Sequence, residues 1–382
     1  MTIASQATDL LASVGLLSSD GSLPPPALDL ETLLRSTVIF VACCILYSLP
    51  VFLHRIKLTI LGIAYLLFCN DKSWKKPQDP GAIFQQILTN PTSKAKVEKK
   101  TLIFVRHGES TWNDTFNKGH HRSALVFVLG FIPGLIKAVM YEIYLTLTGQ
   151  MDSWFFDSPI SNLGLSQVDE LAKFLSGDSP DASKRTKEEA EFVSILRGDA
   201  GAPPSKLLCS SLRRALSTMA CSFRERLARN TNDKILVVPS LQEISRNPDT
   251  LSITPAHHTV QASFVDRSSK VCAFQDIYTK QTDMSLHIGN KPINTNGLKR
   301  MDEFCDFVFS SVEEDNVIIG GHSIYFRSFF RTYLPYTVDH VSKKRKVVNA
   351  GCVALTLLKA PTPNGDKYMI DPKSIKVIYG GF

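Results

Sequence analysis

The chain has 382 residues, 44% hydrophobic and 21% charged, with a formal net charge of +7. That is ordinary globular composition, long enough for one large domain or two small ones. The basic excess fits an anionic substrate or an anionic membrane surface, and the basic residues do not interleave with aromatics as a nucleic-acid platform would, which argues against nucleic acid as a partner.

Residues 1–36 are rich in Ser, Pro and Ala, with "SLPPPALD" in the middle, and read as a disordered tail. The character changes at "TVIFVACCILYSLPVFL" (37–53), which is apolar throughout; "HRIK" (54–57) interrupts it and "LTILGIAYLLFC" (58–69) resumes it. A helical span needs about 20 apolar residues. The segment 37–69 therefore reads as one transmembrane helix with an interfacial segment, as a membrane hairpin turning near Pro50 and His54, or as a buried helical pair. A signal peptide is disfavoured, because the run starts far from Met1 and lacks a basic n-region. Arg55, Lys57, Lys72, Lys75 and Lys76 follow the first run and only Arg35 precedes it, so a single span would place the rest of the chain in the cytoplasm. Residues 70–99, with Pro77, Pro80 and Pro91, read as a linker.

From 100 to 382 the chain reads as one catalytic-size domain. "TLIFV", "SKLLCS", "KILVVPS" and "DNVIIGG" are strand-like, and "LGLSQVDELAKFL", "LRRALSTMACSFRERLA", "NGLKRMDEFCDFVF" and "SIYFRSFFRTYL" have helical spacing. "VVNAGCVALTLL" and "SIKVIYG" close the chain as strands. The alternation predicts an α/β fold, three-layer α/β/α with a mostly parallel central sheet, whose ligand site lies beyond the carboxyl ends of the strands. The eight cysteines are scattered, without a CxxC pair or a His at zinc spacing, and read as reduced thiols facing the cytosol, with no metal site.

Four strand ends carry chemistry. Arg106 and His107 end the first strand, Arg214 follows "KLLCS", Glu243 follows "KILVVPS" and His322 follows "VIIGG". Arginine forks bind phosphoryl oxygens bidentately, a neutral imidazole can attack phosphorus, and a carboxylic acid can protonate a leaving oxygen. Gly108 is read as allowing the backbone to approach a ligand closely.

This set resembles the histidine phosphatase superfamily, the phosphoglycerate-mutase-like fold, over roughly residues 100–356. "RHGES-T-WN" (106–113) is similar to its R-H-G-E signature, "DSPISNLGLSQ" (157–167) to its D-x-P-L-S-x-x-G-x-x-Q segment, "SSLRRALST" (210–218) to its S-x-L-x-R-A-x-x-T, and "GGHS" (320–323) to its second histidine. The resemblance implies His107 as the nucleophile that becomes phosphohistidine and Arg106, Arg214 and His322 as holders of the phosphoryl group. It implies further hydrogen bonds from Asn113 and Ser323. Arg214 rather than Arg213 is in register with Ala215 and Thr218. Ser323 stands where the acid phosphatase branch has an acid, which leaves Glu243 as proton donor; its bland alternative is a surface residue pairing with Arg246. Tyr325 and Arg327 read as packing and solvation, and "KKRK" (343–346) as a solvated loop or a contact with anionic lipid or substrate.

The text after Glu243 lacks the E-R-x-Y-G and paired-arginine segments of the mutases and the E-x-x-x-G-x-x-E-G pattern of the small broad-specificity phosphatases. The expectation is a phosphatase, a phosphoric monoester hydrolase without metal or organic cofactor because arginines supply the charge stabilisation. The alternatives are a mutase-like phosphotransferase or a catalytically weak phospho-binding scaffold. An apolar insertion, 123–149, interrupts the domain; it reads as an extra helix pair packed on the domain, or as an interfacial element beside the site. The latter, with 37–69, would suit a phosphorylated lipid or membrane-bound phosphoprotein, beside a phosphorylated small molecule, as substrate. Segment 250–290, with His257 and His258, reads as a substrate-capping loop.

Overall fold

The computed structural model describes residues 29–89, 96–118, 122–176, 182–363 and 365–382. One eight-stranded sheet organises the chain: β1 (Glu98–Arg106), β2 (Ser205–Cys209), β3 (Ile235–Val237), β4 (Thr282–Asp283), β5 (Asn316–Gly321), β6 (Cys352–Ala360), β7 (Lys367–Ile370) and β8 (Lys376–Tyr379). The order is β4-β3-β2-β5-β1-β6-β7, parallel from β4 to β1 and antiparallel beyond, and β8 also pairs with β6.

The apolar strands are continuous runs because both faces of the sheet are covered. In β1, Ile103 and Val105 belong to one core, and Leu102 and Phe104 to the other. The first core takes Val168 and Leu171 from the helix Asn162–Leu175 and Ala215, Leu216 and Met219 from the helix Arg213–Ser222. The second takes Met301 and Phe304 from the helix Gly297–Ser311 and Phe326, Phe329 and Phe330 from the helix Ser323–Tyr333. The Phe104 and Phe326 rings stack at 4.2 Å. This is the expected three-layer α/β/α arrangement with a mostly parallel sheet. All eight cysteines are free.

Several sequence boundaries move. Of the tail read over 1–36, residues 1–28 lie outside the described residues, and the remainder is helical: Asp29 caps α1 (Leu30–Tyr47), its Oδ1 accepting the Thr32 amide at 2.7 Å. The apolar stretch breaks at Ser48, not at Pro50 or His54; both lie inside α2 (Leu49–Phe68), where Pro50 is tolerated in the first turn. The stretch 70–99 is no simple linker, because Asp71 is fully buried and Pro80–Thr89 is helical. The insertion is a single 24-residue helix, α3 (Ala124–Leu147), running through Pro133 rather than a pair. Segment 250–290 is no loop: helices Phe264–Ser268 and Phe274–Lys280 bury Val265, Phe274 and Tyr278 in the first core, and β4 follows.

The chain divides into two compact units. The described part of one covers 29–52 and 146–150 and holds α1, in which no residue is buried. The other runs over 53–145 and 151–382 and holds the sheet. Three helices, α1, α2 and α3, are long and apolar enough to cross a membrane by length and composition, with mean hydropathies of 1.7, 1.7 and 2.0. Within the larger unit, α2 buries one stripe, Arg55, Leu58, Gly62 and Tyr65, while Ile56, Ile60, Ile63 and Leu67 are exposed. A Cβ on Gly62 would come within 3.3 Å of the Phe156 ring. Two charges inside these apolar helices meet, Arg55 of α2 pairing with Glu142 of α3. Glu142 also accepts from Ser153 Oγ at 2.9 Å and the Trp154 amide at 2.8 Å.

Candidate active site

The register of the sheet brings the four strand ends together. Arg106 lies opposite Gly321, and Cys209 opposite both Gly320 and Val237. The His107 amide donates to Gly321 O at 3.0 Å, and the Ser210 amide to Gly320 O at 2.9 Å. Two histidines thus leave adjacent strands side by side, with ring centroids 5.1 Å apart.

His107 is buried, and its Nδ1 is 2.6 Å from Gly108 O. A carbonyl only accepts, so Nδ1 carries the proton and Nε2 keeps its lone pair. Burial, then Arg214 and Arg106, hold the imidazole well below the usual histidine range. His322 is also fully buried and depressed, by burial and then by Arg214 and His107. Its Nε2 is 2.7 Å from Ser210 Oγ, while its Nδ1 is buried without a partner.

The arginines divide their work. Arg213 is fully buried and points away from the histidines, donating to Asp152 Oδ1 at 2.7 Å and to Asp157 O at 2.9 Å. Arg214 donates to Asp249 O at 2.8 Å and pairs with Asp249 Oδ2 at 3.3 Å. Arg106 donates to Val347 O at 2.6 Å, and desolvation pushes it down to about 10, protonated at neutral pH. The Nε atoms of Arg106 and Arg214 and the Oγ of Ser211 are buried without hydrogen-bond partners. An oxyanion would satisfy such donors.

Glu243 is buried and does not pair with Arg246. Its Oε1 accepts the Tyr325 and Ile244 amides, both at 2.9 Å, and its Oε2 accepts the Ile324 amide at 3.3 Å. It therefore sits at the first turn of the helix that His322 caps, where backbone amides converge. Ser323 is buried as the first residue of that helix. Asn113 lies in the short helix Thr111–Phe116, and its Oδ1 accepts from Nδ2 of Asn117, the residue that caps it, at 2.6 Å. Among the described residues no group of three His, Cys, Asp or Glu side chains is arranged for a metal.

The remaining motif residues hold the His107 loop. The Gly108 amide donates to Thr218 Oγ1 at 3.0 Å, Thr218 Oγ1 donates to Arg214 O at 2.8 Å, and the Glu109 amide donates to Gln167 Oε1 at 2.9 Å. Gly108 packs tightly against a neighbouring helix: a Cβ there would lie 2.7 Å from Gly164 O. The converse contact is closer still, with a Cβ on Gly164 only 2.1 Å from Glu109 O, an atom that cannot swing aside. Gly164→Ala is expected to cost about 1–3 kcal/mol of stability and to displace the His107 loop, which thermal unfolding measured beside kcat will register as a joint loss.

The sequence reading missed two groups. Asp249 is buried against Arg214, and burial pushes its carboxyl up to about 6. Asp157, at a positive φ of 47°, accepts the Arg213 amide at 2.8 Å and the Ile253 amide at 3.1 Å, so it sets the turn that separates the two arginines. Asp157 stood in a recognised motif; Asp249 carries no local signal.

The chain resembles the histidine phosphatase superfamily. No family model matches it, and no curated protein matches it. Among solved structures it is similar to a mycobacterial glucosyl-3-phosphoglycerate phosphatase in complex with VO3, at 15% identity over 71% of this chain and 97% of that one, with a TM-score of 0.33. It is also similar to an ecdysone phosphate phosphatase from Bombix mori in complex with tungstate, at 16% identity over 67% of this chain and 88% of that one, with a TM-score of 0.32. Overlaps this low carry no weight for the chemistry, which rests on this chain's own residues.

Proposed function

We propose that this chain is a membrane-associated histidine phosphatase that hydrolyses a phosphomonoester through a phosphohistidine on His107, with its catalytic unit on the cytoplasmic side. The observation that supports it most is the tautomer: Gly108 O holds the Nδ1 proton, and the free Nε2 lone pair stands beside His322, Arg106 and Arg214. In the first step Nε2 attacks phosphorus, the bond to the leaving oxygen breaks, and a carboxyl group gives that oxygen a proton. Arg106, Arg214 and His322 neutralise the charge on the phosphoryl oxygens. In the second step water attacks phosphorus, the P–N bond breaks, and the carboxylate takes the water's proton. The substrate is a phosphorylated small molecule, lipid or protein. Radiolabelled substrate quenched in alkali should leave acid-labile label on the wild-type chain; turnover with no trapped label would overturn the covalent route.

Glu243 is the proposed donor, and Asp249 is a second reading because burial raises it to about 6. Glu243→Gln is expected to lower kcat by about 10²-fold or more on an alkyl phosphate, whose alkoxide needs the proton, and far less on an aryl phosphate. If Asp249 is the donor, its protonated form is the active one, so kcat/KM falls as pH rises through about 6, and Asp249→Asn rather than Glu243→Gln shows the leaving-group dependence.

A further inference from the structure

A cavity of ≈ 730 Å³ opens beside Glu243. Its inner wall carries Ile244 and Ile324, two of the residues whose amides hold the Glu243 carboxylate. Around it stand Lys72, Lys76, Arg327, Arg331 and Lys343, and no lining residue is acidic. None of these five cations is ion-paired with a carboxylate among the described residues. Three of them are engaged with neutral groups. Lys343 Nζ donates to Pro335 O and Val338 O, both at 2.7 Å, Arg331 Nε donates to Lys343 O at 2.6 Å, and Lys76 lies 3.6 Å from the centre of the Tyr336 ring. Arg327 is half-buried, with an Nε that is buried and has no partner, and Lys72 is exposed. Lys346 links the cavity to the catalytic centre: partial desolvation, with Arg106, Arg327 and Lys72 adding to it, pushes its ammonium down. Like charges gathered around one concavity repel each other, and an anion relieves that cost.

We propose that this cavity is a second anion subsite. Resting on the phosphatase reading above, the substrate carries, besides the monoester at His107, a further phosphate or carboxylate that lies between Arg327 and Lys72. These two residues come from distant parts of the chain, Lys72 four residues after α2 ends at Phe68 and Arg327 in the helix after His322. The subsite therefore exists only in the folded chain, and it selects bis-anionic substrates. A soluble bisphosphate and a phosphoinositide headgroup, with its diester and monoester phosphates, share this chemistry.

The test uses the full chain in detergent micelles. The ratio of kcat/KM for inositol 1,4-bisphosphate over phenyl phosphate is measured by inorganic phosphate release for wild type, Arg327→Gln and Lys72→Gln. A ratio well above one in wild type that falls about tenfold in each variant is expected, the loss of one charge-assisted contact; the same ratio in all three overturns the subsite. Arg327→Lys, which keeps the charge, should restore part of the ratio. Phosphatidylinositol 4-phosphate in phosphatidylcholine vesicles separates the sources: a faster vesicle reaction assigns the lipid, and a faster soluble reaction assigns the free bisphosphate. If wild type releases phosphate from no probe, the hydrolase reading fails and calorimetry decides the subsite alone. Binding of inositol 1,4-bisphosphate that weakens about tenfold in Arg327→Gln upholds it, and undiminished or absent binding overturns it.

Discussion

Replacing His107 with alanine in the full chain is expected to lower phosphate release from phenyl phosphate by about 10⁴-fold or more, because the covalent route loses its nucleophile. The fold should survive, since His107 contributes a strand-end turn held by backbone bonds to Gly321 O and by Thr218 through Gly108. The same residue sets the acid side of the pH profile. Burial and the two arginines hold its imidazole well below the ordinary value of 6.5. A depressed pKa means that the neutral, nucleophilic form persists below pH 6.5, so lowering the pH from about 7.5 to 6.5 should not reduce kcat/KM. A half-maximal point at or above pH 6.5 would mean that the arginines do not act on this imidazole. An alanine variant as active as wild type would remove the phosphohistidine altogether.

The second large effect lies outside the catalytic set. Asp71 is fully buried and pairs with Lys291 Nζ at 2.5 Å and Arg300 Nη2 at 2.7 Å, while its Oδ2 also accepts the Ser245 amide at 2.9 Å. Lys291 in turn donates to Glu243 O at 2.6 Å and Ser245 O at 2.7 Å. One carboxylate thus neutralises two buried cations and shapes the turn that carries Glu243. Asp71→Ala leaves both cations unpaired in the interior, which costs about 3–5 kcal/mol. The thermal midpoint should fall by about 10 °C, with kcat reduced through the displaced Glu243 turn. A midpoint within 2 °C or so of wild type would show that water reaches these charges. The same contact predicts that a fragment starting at residue 95 is unstable, since it lacks Asp71, and assays should use the full chain.

The strand-end turns were legible because their signals are local. A run such as "TLIFV" ending in Arg106-His107-Gly108 reads directly as a buried strand followed by a turn, and the structure places β1 there. Arg214 was preferred over Arg213 because it matches the motif of the family the chain resembles, and the structure pairs Arg213 with Asp152 and Asp157. Gly108 was legible as a position needing glycine, but its packing against Gly164 of a neighbouring helix was not. Asn113 was carried by motif similarity alone, and its Oδ1 bond to Asn117 had no signal in the sequence. The polar text from 70 to 99 looked like a linker because an Asp among lysines and prolines says nothing of two cations more than 200 positions away.

By itself, the sequence determined the central strands and the helices that cover them, that α2 and the insertion are apolar enough for a membrane, and which residues stand at the strand ends. Those properties depend on the period of side chains along a few turns or pleats, which neighbours in the chain fully specify. Only the tertiary structure decided that Asp71 is a core ion, that Asp249 shares Arg214, that Arg55 meets Glu142, and that Lys72 and Arg327 face one cavity. Each of those pairings joins distant segments, and its energy comes from desolvation and close approach, which exist only once the sheet has set its strand order and the helices have packed on both faces.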